Sequence, residues 1–307
     1  MQVWFQAVHL DVWSNPIATV SNMVPVSIQS DPIPGMVYIN GSTFEMGDHF
    51  NVGSGSERPV HSVTLNSFFL DEHEVSNLQF ANYLNAELAA SNVLVSGGGV
   101  YQVSVLGHQI CELADGLSYS NGQIVVAAGK EQHPVVRVTW YGAALYCNYS
   151  SAENLRQPCY DPLSFACDYS VDGFRLPTEA EYEFASRGGE HSPYFLYSWG
   201  SDSVTSGDAN YGNTINSTVT RGSYAANNYG LFDISGNAAE WCNDWYMSGY
   251  YDVSELINPV GPIFGTNRVA RGGGWNASAS DLRSAKRDFY NPMVLHPYVG
   301  FRVATQG

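Results

Sequence analysis

Gly173-Phe174-Arg175-Leu176-Pro177-Thr178-Glu179-Ala180-Glu181-Tyr182-Glu183 reads as a strand delivered into a capped helix. Thr178 stands where a hydroxyl accepts from the amide three residues on, and Glu181 stands where a carboxylate reaches back, a capping box just after Pro177. Tyr182 and Ala185 then face inward, and Gly188-Gly189 closes the helix. Two further helices carry the same kind of signal. Ser76-Asn77-Leu78-Gln79 is a capping box ahead of Phe80, Tyr83, Leu84 and Leu88 at helical spacing. Thr139 precedes Trp140, Ala143, Ala144 and Cys147, again on one face.

Outward from these helices the chain reads as short strands and loops. Residues 36–39 are strand-like and run into the Asn40-Gly41 turn. Residues 93–130 read as short hairpins punctuated by Gly97-Gly98-Gly99 and Asn121-Gly122. Beyond Gly188 helical period nearly vanishes, and Gly-, Asn- and Tyr-rich loops lead to a final strand at residues 299–303. Residues 1–33 alternate through Val3, Phe5, Val8, Leu10 and Val12 and end at Asp31-Pro32-Ile33-Pro34-Gly35, either a terminal strand or the remnant of an upstream segment. The expectation is one α+β domain over residues 34–307, with few helices, many short strands and long loops that carry function.

Composition narrows the function classes. Of 307 residues 44% are hydrophobic and 13% aromatic, which excludes a disordered chain. Only 14% are charged, against roughly 25% in ordinary soluble domains, so polarity comes from Asn, Ser, Gly and Tyr. With 29 acidic and 13 basic residues the net charge is -16, which argues against nucleic acid as a partner. That excess fits a secreted or cell-surface protein, or carboxylates gathered around calcium; for most of them solubility is reason enough. No transmembrane run of ~18 apolar residues is present, and the start, Met1-Gln2-Val3-Trp4-Phe5-Gln6, shows no signal peptide. Cys159 and Cys167 bracket a short turn-rich stretch, which places a disulfide there, the alternative being two free thiols. Cys111, Cys147 and Cys242 have no assigned pairing, and no C-x-x-C pair supports a zinc site. None of the eight histidines forms an H-x-x-x-H or H-x-H pair, so His61 and His73 read as structural.

Eight segments in order over about residues 34–304 resemble the formylglycine-generating enzyme (sulfatase-modifying factor) family. They are Ile39-Asn40-Gly41-Ser42-Thr43-Phe44-Glu45-Met46-Gly47, Glu57-Arg58-Pro59-Val60-His61, Phe69-Leu70-Asp71-Glu72-His73-Glu74-Val75-Ser76-Asn77 and His133-Pro134-Val135-Val136-Arg137-Val138-Thr139-Trp140. Gly173 to Glu183, Gly230-Leu231-Phe232-Asp233-Ile234-Ser235-Gly236-Asn237-Ala238-Ala239-Glu240-Trp241, Arg271-Gly272-Gly273-Gly274-Trp275 and Gly300-Phe301-Arg302 complete the set. The resemblance implies a variant of the C-type lectin-like fold. It also implies a structural calcium ion at the Asp233 segment, held by the Asp233 and Glu240 side chains and the Gly236 and Ala238 carbonyls, where the bland reading is a hydrogen-bonded loop without metal. Two carboxylates around a glycine turn suit a hard cation. A second calcium site, starting at Ala209-Asn210, lacks its acidic ligand here.

In catalytic members two cysteines, five apart, come after the Arg271 motif, bind copper and the substrate thiol, and activate oxygen. Those positions are Ala277 and Leu282 here, and no cysteine lies beyond Cys242. Soft Cu(I) needs thiolates, so no copper is expected and that chemistry is absent. Residues 276–298 mix small polar and aromatic side chains without period, as recognition surfaces do. The position and layout of this stretch are similar to the variable region of retroelement-diversified proteins. The candidate ligand contacts are Trp275, Asn276, Ala277, Ser278, Ser280, Asp281, Asp288, Phe289, Tyr290, Asn291, Val294, His296 and Tyr298, facing a protein or other surface ligand. The alternative is an enzyme of cysteine-independent chemistry built on groups such as Asp281 or Tyr290; a structural C-terminal loop is the bland reading.

Overall fold

A computed structural model describes residues 32–104, 106–188 and 193–307. The strand or arm read at residues 1–33 thus lies, but for its last two residues, outside the described residues. Strands β1 (Met36–Ile39), β2 (Thr43–Met46), β3 (His61–Thr64) and β4 (Phe68–Asp71) lead into helix α1 (Asn77–Ala89). Five strands come next, β5 (Val93–Ser96), β6 (Gly99–Gln102), β7 (Gln109–Glu112), β8 (Leu117–Ser120) and β9 (Gln123–Val126), and then helices α2 (Trp140–Glu153) and α3 (Glu179–Ser186). The chain ends through β10 (Ala239–Trp245), β11 (Arg268–Arg271), β12 (Asp288–Tyr290), β13 (Val299–Gly300) and β14 (Ala304–Gln306).

All three helices begin on the side chains that the sequence singles out. The Ser76 hydroxyl accepts from the Gln79 amide, Thr139 from Gly142 and Thr178 from Glu181, and the first and third close as reciprocal capping boxes. The hairpins are present as well. β5 and β6 join through Gly97 and Gly98, and β8 and β9 through Asn121 and Gly122; all four have φ between 51° and 83°. Left-handed pairs of this kind match the twist of two-residue hairpins. The α+β expectation holds.

One expected element breaks. Residues 299–303 form no single strand: β13 pairs parallel with β10, β14 pairs with β4, and Phe301 to Val303 run between them without strand pairing. The chain changes partners here: the Phe301 and Val303 carbonyls accept from the Val75 and Asp71 amides, and the Val303 amide donates to the Asp71 carboxylate, before β14 joins β4.

Two apolar cores support this frame. One packs α1 and α2 against Val299 and Phe301 around Trp140 and Trp241, whose indole N–H groups donate to Cys242 O and Val138 O. The other packs β2, β3 and β4 against Tyr182 and Phe184 of α3. Each fully buried large side chain contributes about 1.5–3 kcal/mol. Both cores lean on β10 and β11, in the four-stranded sheet ordered β12-β11-β10-β13, so the chain on either side of the Arg271 motif starts from rigid ground.

Candidate functional site

The segment after β11 is held from beneath by three buried arginines. Arg271 donates to Glu183 Oε2 at 2.6 Å, to Glu179 Oε1 at 3.3 Å and to the Ser284 and Ala285 carbonyls. Arg283 grips Glu57 at 2.7 and 3.1 Å, and Arg287 grips Glu179 at 2.7 and 2.8 Å while lying 4.2 Å from the Tyr251 ring centroid. Burial pushes the Glu183 carboxyl up, but Arg187 and Arg271 outweigh it and hold the group at about 2. Gly272 is obligatory between these anchors: φ is +84°, and a Cβ there would sit 2.6 Å from the Tyr182 hydroxyl.

Leu282 and Ala277 meet over the backbone of Gly273. Leu282 is fully buried against Tyr197 and Ala209, with Ala277 packed against that cluster. An apolar plug thus fills the place where the resemblance puts reactive thiols. Asp281 serves structure: its carboxylate accepts from the Ser278 amide and hydroxyl in a capping box on the 3-10 turn Ala279–Leu282. Burial raises its pKa, but Ser278 and Lys286 outweigh this and leave it below the ordinary value. Tyr290 is pushed the other way, upward, chiefly by burial. Neither group is poised near neutrality, as a general base or acid would be.

The expected contact residues fall into a connected aromatic face and outliers. Tyr290, His296 and Tyr298 form one ring cluster: His296 stacks on Tyr298 with centroids 4.8 Å apart, and Tyr290 is tilted against His296 at 4.6 Å; Trp241 lies edge-on beneath Tyr290. Burial lowers the His296 pKa, which favours the neutral ring. Trp275 is tied to this cluster through its indole N–H, which donates to Pro297 O at 2.9 Å. Lys286 reaches Asp288 at 2.8 Å and Asp281 at 3.5 Å. Ser278, Ser280 and Asn291 are exposed, and Asn276, Ala277 and Val294 are half-buried. Phe289 departs from the group. Alternation along β12 turns it to the opposite face from Tyr290, where it stacks on Tyr246 at 4.0 Å.

Beside Trp275 and Pro297 opens a cavity of about 210 Å³ that sequence reasoning missed. Its other walls come from Asp115, Gly116, Ala127 and Lys130 around the β8–β9 hairpin, and from Asn216, Ser217 and Thr218. No local pattern links a hairpin at residue 120 to a loop at residue 217, so only the tertiary fold shows it.

The expected calcium loop is built differently from the reading by position. Both Glu240 oxygens accept from Arg302, at 2.6 and 2.8 Å, so this carboxylate is first the counter-ion of a fully buried guanidinium. Asp233 accepts from the Gly222 amide at 2.5 Å, and burial pushes its pKa to about 6. Glu74 joins them unannounced by sequence: one oxygen accepts from Asn237 at 3.0 Å, the other is buried without a partner, and burial drives its pKa well up. Asn210 Oδ1 is likewise buried and unpartnered. Among the described residues no three His, Cys, Asp or Glu side chains form a metal cage. A cation here would therefore depend on backbone oxygens such as those of Gly236 and Ala238. The structure pairs His61 and His73 with rings, on Tyr251 and Phe232 respectively.

A match to the sulfatase-modifying factor enzyme 1-like domain covers residues 22–306. The chain belongs to that family. Among its relatives, the formylglycine-generating enzyme of Streptomyces coelicolor is 30% identical over 309 residues, covering 88% of each chain. The serine/threonine-protein kinase pkn1 of Chlamydia caviae is 36% identical over 272 residues, 88% of this chain but 37% of that protein. The chain thus spans under two-fifths of that relative's length. In fold it is similar to Treponema denticola variable protein 1, with a TM-score of 0.66, 26% identity, and coverage of 89% of this chain and 95% of that one.

Within this family frame, all five cysteines here are free thiols, Cys159 and Cys167 included. Of the two states the sequence allowed for that pair, the structure holds the reduced one.

Proposed function

We propose that this chain is a non-catalytic ligand-binding protein, a lectin-like scaffold of the sulfatase-modifying factor family that presents residues 275–298 to a protein or other surface ligand. One observation carries the reading. The two positions that hold thiols in catalytic members are Ala277 and Leu282, and they pack into an apolar plug with Leu282 fully buried. No thiolate remains there for copper or a substrate cysteine. The aromatic cluster of Tyr290, His296 and Tyr298, with Trp275 and the neighbouring cavity, offers contact area at low entropy cost.

Three finer parts belong to this proposal. The contact residues are diversified by a retroelement, a reading supported by the likeness to Treponema denticola variable protein 1. Calcium stabilises the loop from Asp233 to Glu240, supported by the buried, unpartnered oxygens of Glu74 and Asn210, with backbone oxygens completing the coordination. The protein works outside the cytoplasm or at the cell surface, in keeping with its net charge of -16.

Sequencing the DNA beside the gene tests the diversification. A near-copy of the segment encoding residues 275–301, differing at template adenines, is the expected finding; a flank without one removes that part. Binding itself is tested by grafting the 275–298 loop of a relative with known ligand onto this frame: the ligand should follow the loop, and binding unaffected by the graft sinks the proposal.

A further inference from the structure

We propose that the cavity beside Trp275 is a carboxylate pocket, in which Lys130 and Thr218 take an acidic side chain or the terminal carboxylate of a protein ligand. Trp275 belongs to the proposed contact face, so the pocket rests on the binding reading and names what that face recognises. At about 210 Å³ the cavity is smaller than the ~300 Å³ at which drug-sized sites begin, which suits one side chain rather than a cofactor.

Charge decides what that side chain carries. The chain has two lysines, Lys130 and Lys286. Lys286 is spent on Asp288 and Asp281, whereas Lys130 forms no ion pair among the described residues. Its ammonium lies 3.5 Å from His133 Nδ1, which lies 3.1 Å from the Thr218 hydroxyl, and Lys130 and Thr218 both line the cavity. Burial first, and the Lys130 charge second, lower the His133 pKa and favour the neutral ring. A neutral Nδ1 takes part in one hydrogen bond, so at most one of the three donors on the ammonium is used there. Asp115, the carboxylate among the lining residues, is already held by Arg137 Nε–H at 2.5 Å. What the cavity leaves unmatched is a cation with a buried hydroxyl beside it, the donor set of a carboxylate site.

These donors stand on fixed backbone. The Lys130 amide donates to Ala127 O at 3.0 Å, and the Lys130 carbonyl accepts from Asn77 Nδ2 at 3.0 Å and from the His133 amide at 3.2 Å. Gly116 lets the chain ahead of β8 close on the lysine stem: φ is +122°, and a Cβ there would stand 3.0 Å from Lys130 Cβ. The Trp275 indole spends its N–H on Pro297 O, so its ring serves the cavity as an apolar wall. A wall of that kind keeps water back, and a charge-assisted bond strengthens as the local dielectric falls.

The test uses the two lysines as reporters. Reductive methylation of the full chain with isotope-labelled formaldehyde puts an NMR signal on each ammonium and keeps its charge. The N-acetyl amide of glutamate carries only a side-chain carboxylate, N-acetylglutamine only a terminal one, and the N-acetyl amide of glutamine neither. The expected result is a saturable shift of the Lys130 signal with one or both acids, with Lys286 unmoved and the neutral probe silent; the acid that responds names the source. Followed at the Trp275 indole resonance of unmethylated protein, Lys130→Gln should weaken the same acid ~10-fold or more, and Lys130→Arg should restore binding. A Lys130 signal unmoved by both acids, an equal response to the neutral probe, or matching shifts at Lys286 would each overturn the pocket. A silent pocket leaves the loop graft free to succeed, and a graft that transfers no ligand leaves the Lys130 shift standing, so the two readings fail separately.

Discussion

Arg302 shows what a single residue does here. Its guanidinium is fully buried, takes both oxygens of Glu240, and donates further to the Asp71 and Phe232 carbonyls. Breaking a buried pair from one side leaves an uncompensated charge, so Arg302→Met should cost about 3–5 kcal/mol in urea unfolding; a loss below ~1 kcal/mol would show that the pair is dispensable. Leu282→Ala tests the plug, with an expected loss of about 2–5 kcal/mol from the cavity it opens. Asp244 carries a pH signature. Buried, and accepting from the Glu179 amide at 2.8 Å, it has its pKa pushed up to about 8 by burial first and the Glu179 charge second. A carboxyl raised in the folded state stabilises below its ordinary pKa of about 4 and loses that contribution as pH rises to 8. Wild-type stability should therefore fall relative to Asp244→Asn between pH 5 and 8, by on the order of a few kcal/mol; parallel curves would refute the shift. In sequence these arginines and carboxylates lie scattered from residue 57 to residue 302, and no spacing rule pairs Arg283 with Glu57 or Arg271 with Glu183.

At the scale of elements the sequence was far more legible, because caps and turns are local. Ser76, Thr139 and Thr178 mark the three helix starts, since each hydroxyl bonds an amide within three residues. Thr178→Ala should accordingly cost about 1 kcal/mol, read from the urea midpoint at unchanged slope. The hairpins at Gly97-Gly98 and Asn121-Gly122 were legible for the same reason. The stretch at residues 299–303 was not. Its alternation suits a strand, but the backbone passes within it from β10 to β4, partners remote in sequence that no local pattern announces. Phe289 illustrates the intermediate case: period two fixes that it opposes Tyr290, and only the fold reveals that its side carries Tyr246.

For the whole molecule, the motif order identified the family and the region of the site, while the shape of that region stayed hidden. The absence of cysteine at positions 277 and 282 is plain in sequence; that Leu282 is sealed by Tyr197 and Ala209 is a tertiary fact. Glu74 sits inside a framework motif, yet nothing local tells that it lies buried beside Asn237. If calcium seats among these groups, a chelator should lower the melting temperature by several degrees and excess calcium restore it. Glu74→Gln should abolish that difference, and a melting curve indifferent to calcium would remove the ion from the scaffold. The most direct measurement of the central claim is an aerobic incubation of the full chain with Cu(I) and a cysteine-containing peptide, followed by mass and oxygen uptake. A recognition protein whose oxidising site is plugged leaves the peptide thiol intact and oxygen uptake at the protein-free level; conversion of that cysteine to an aldehyde, with oxygen consumed, would contradict it.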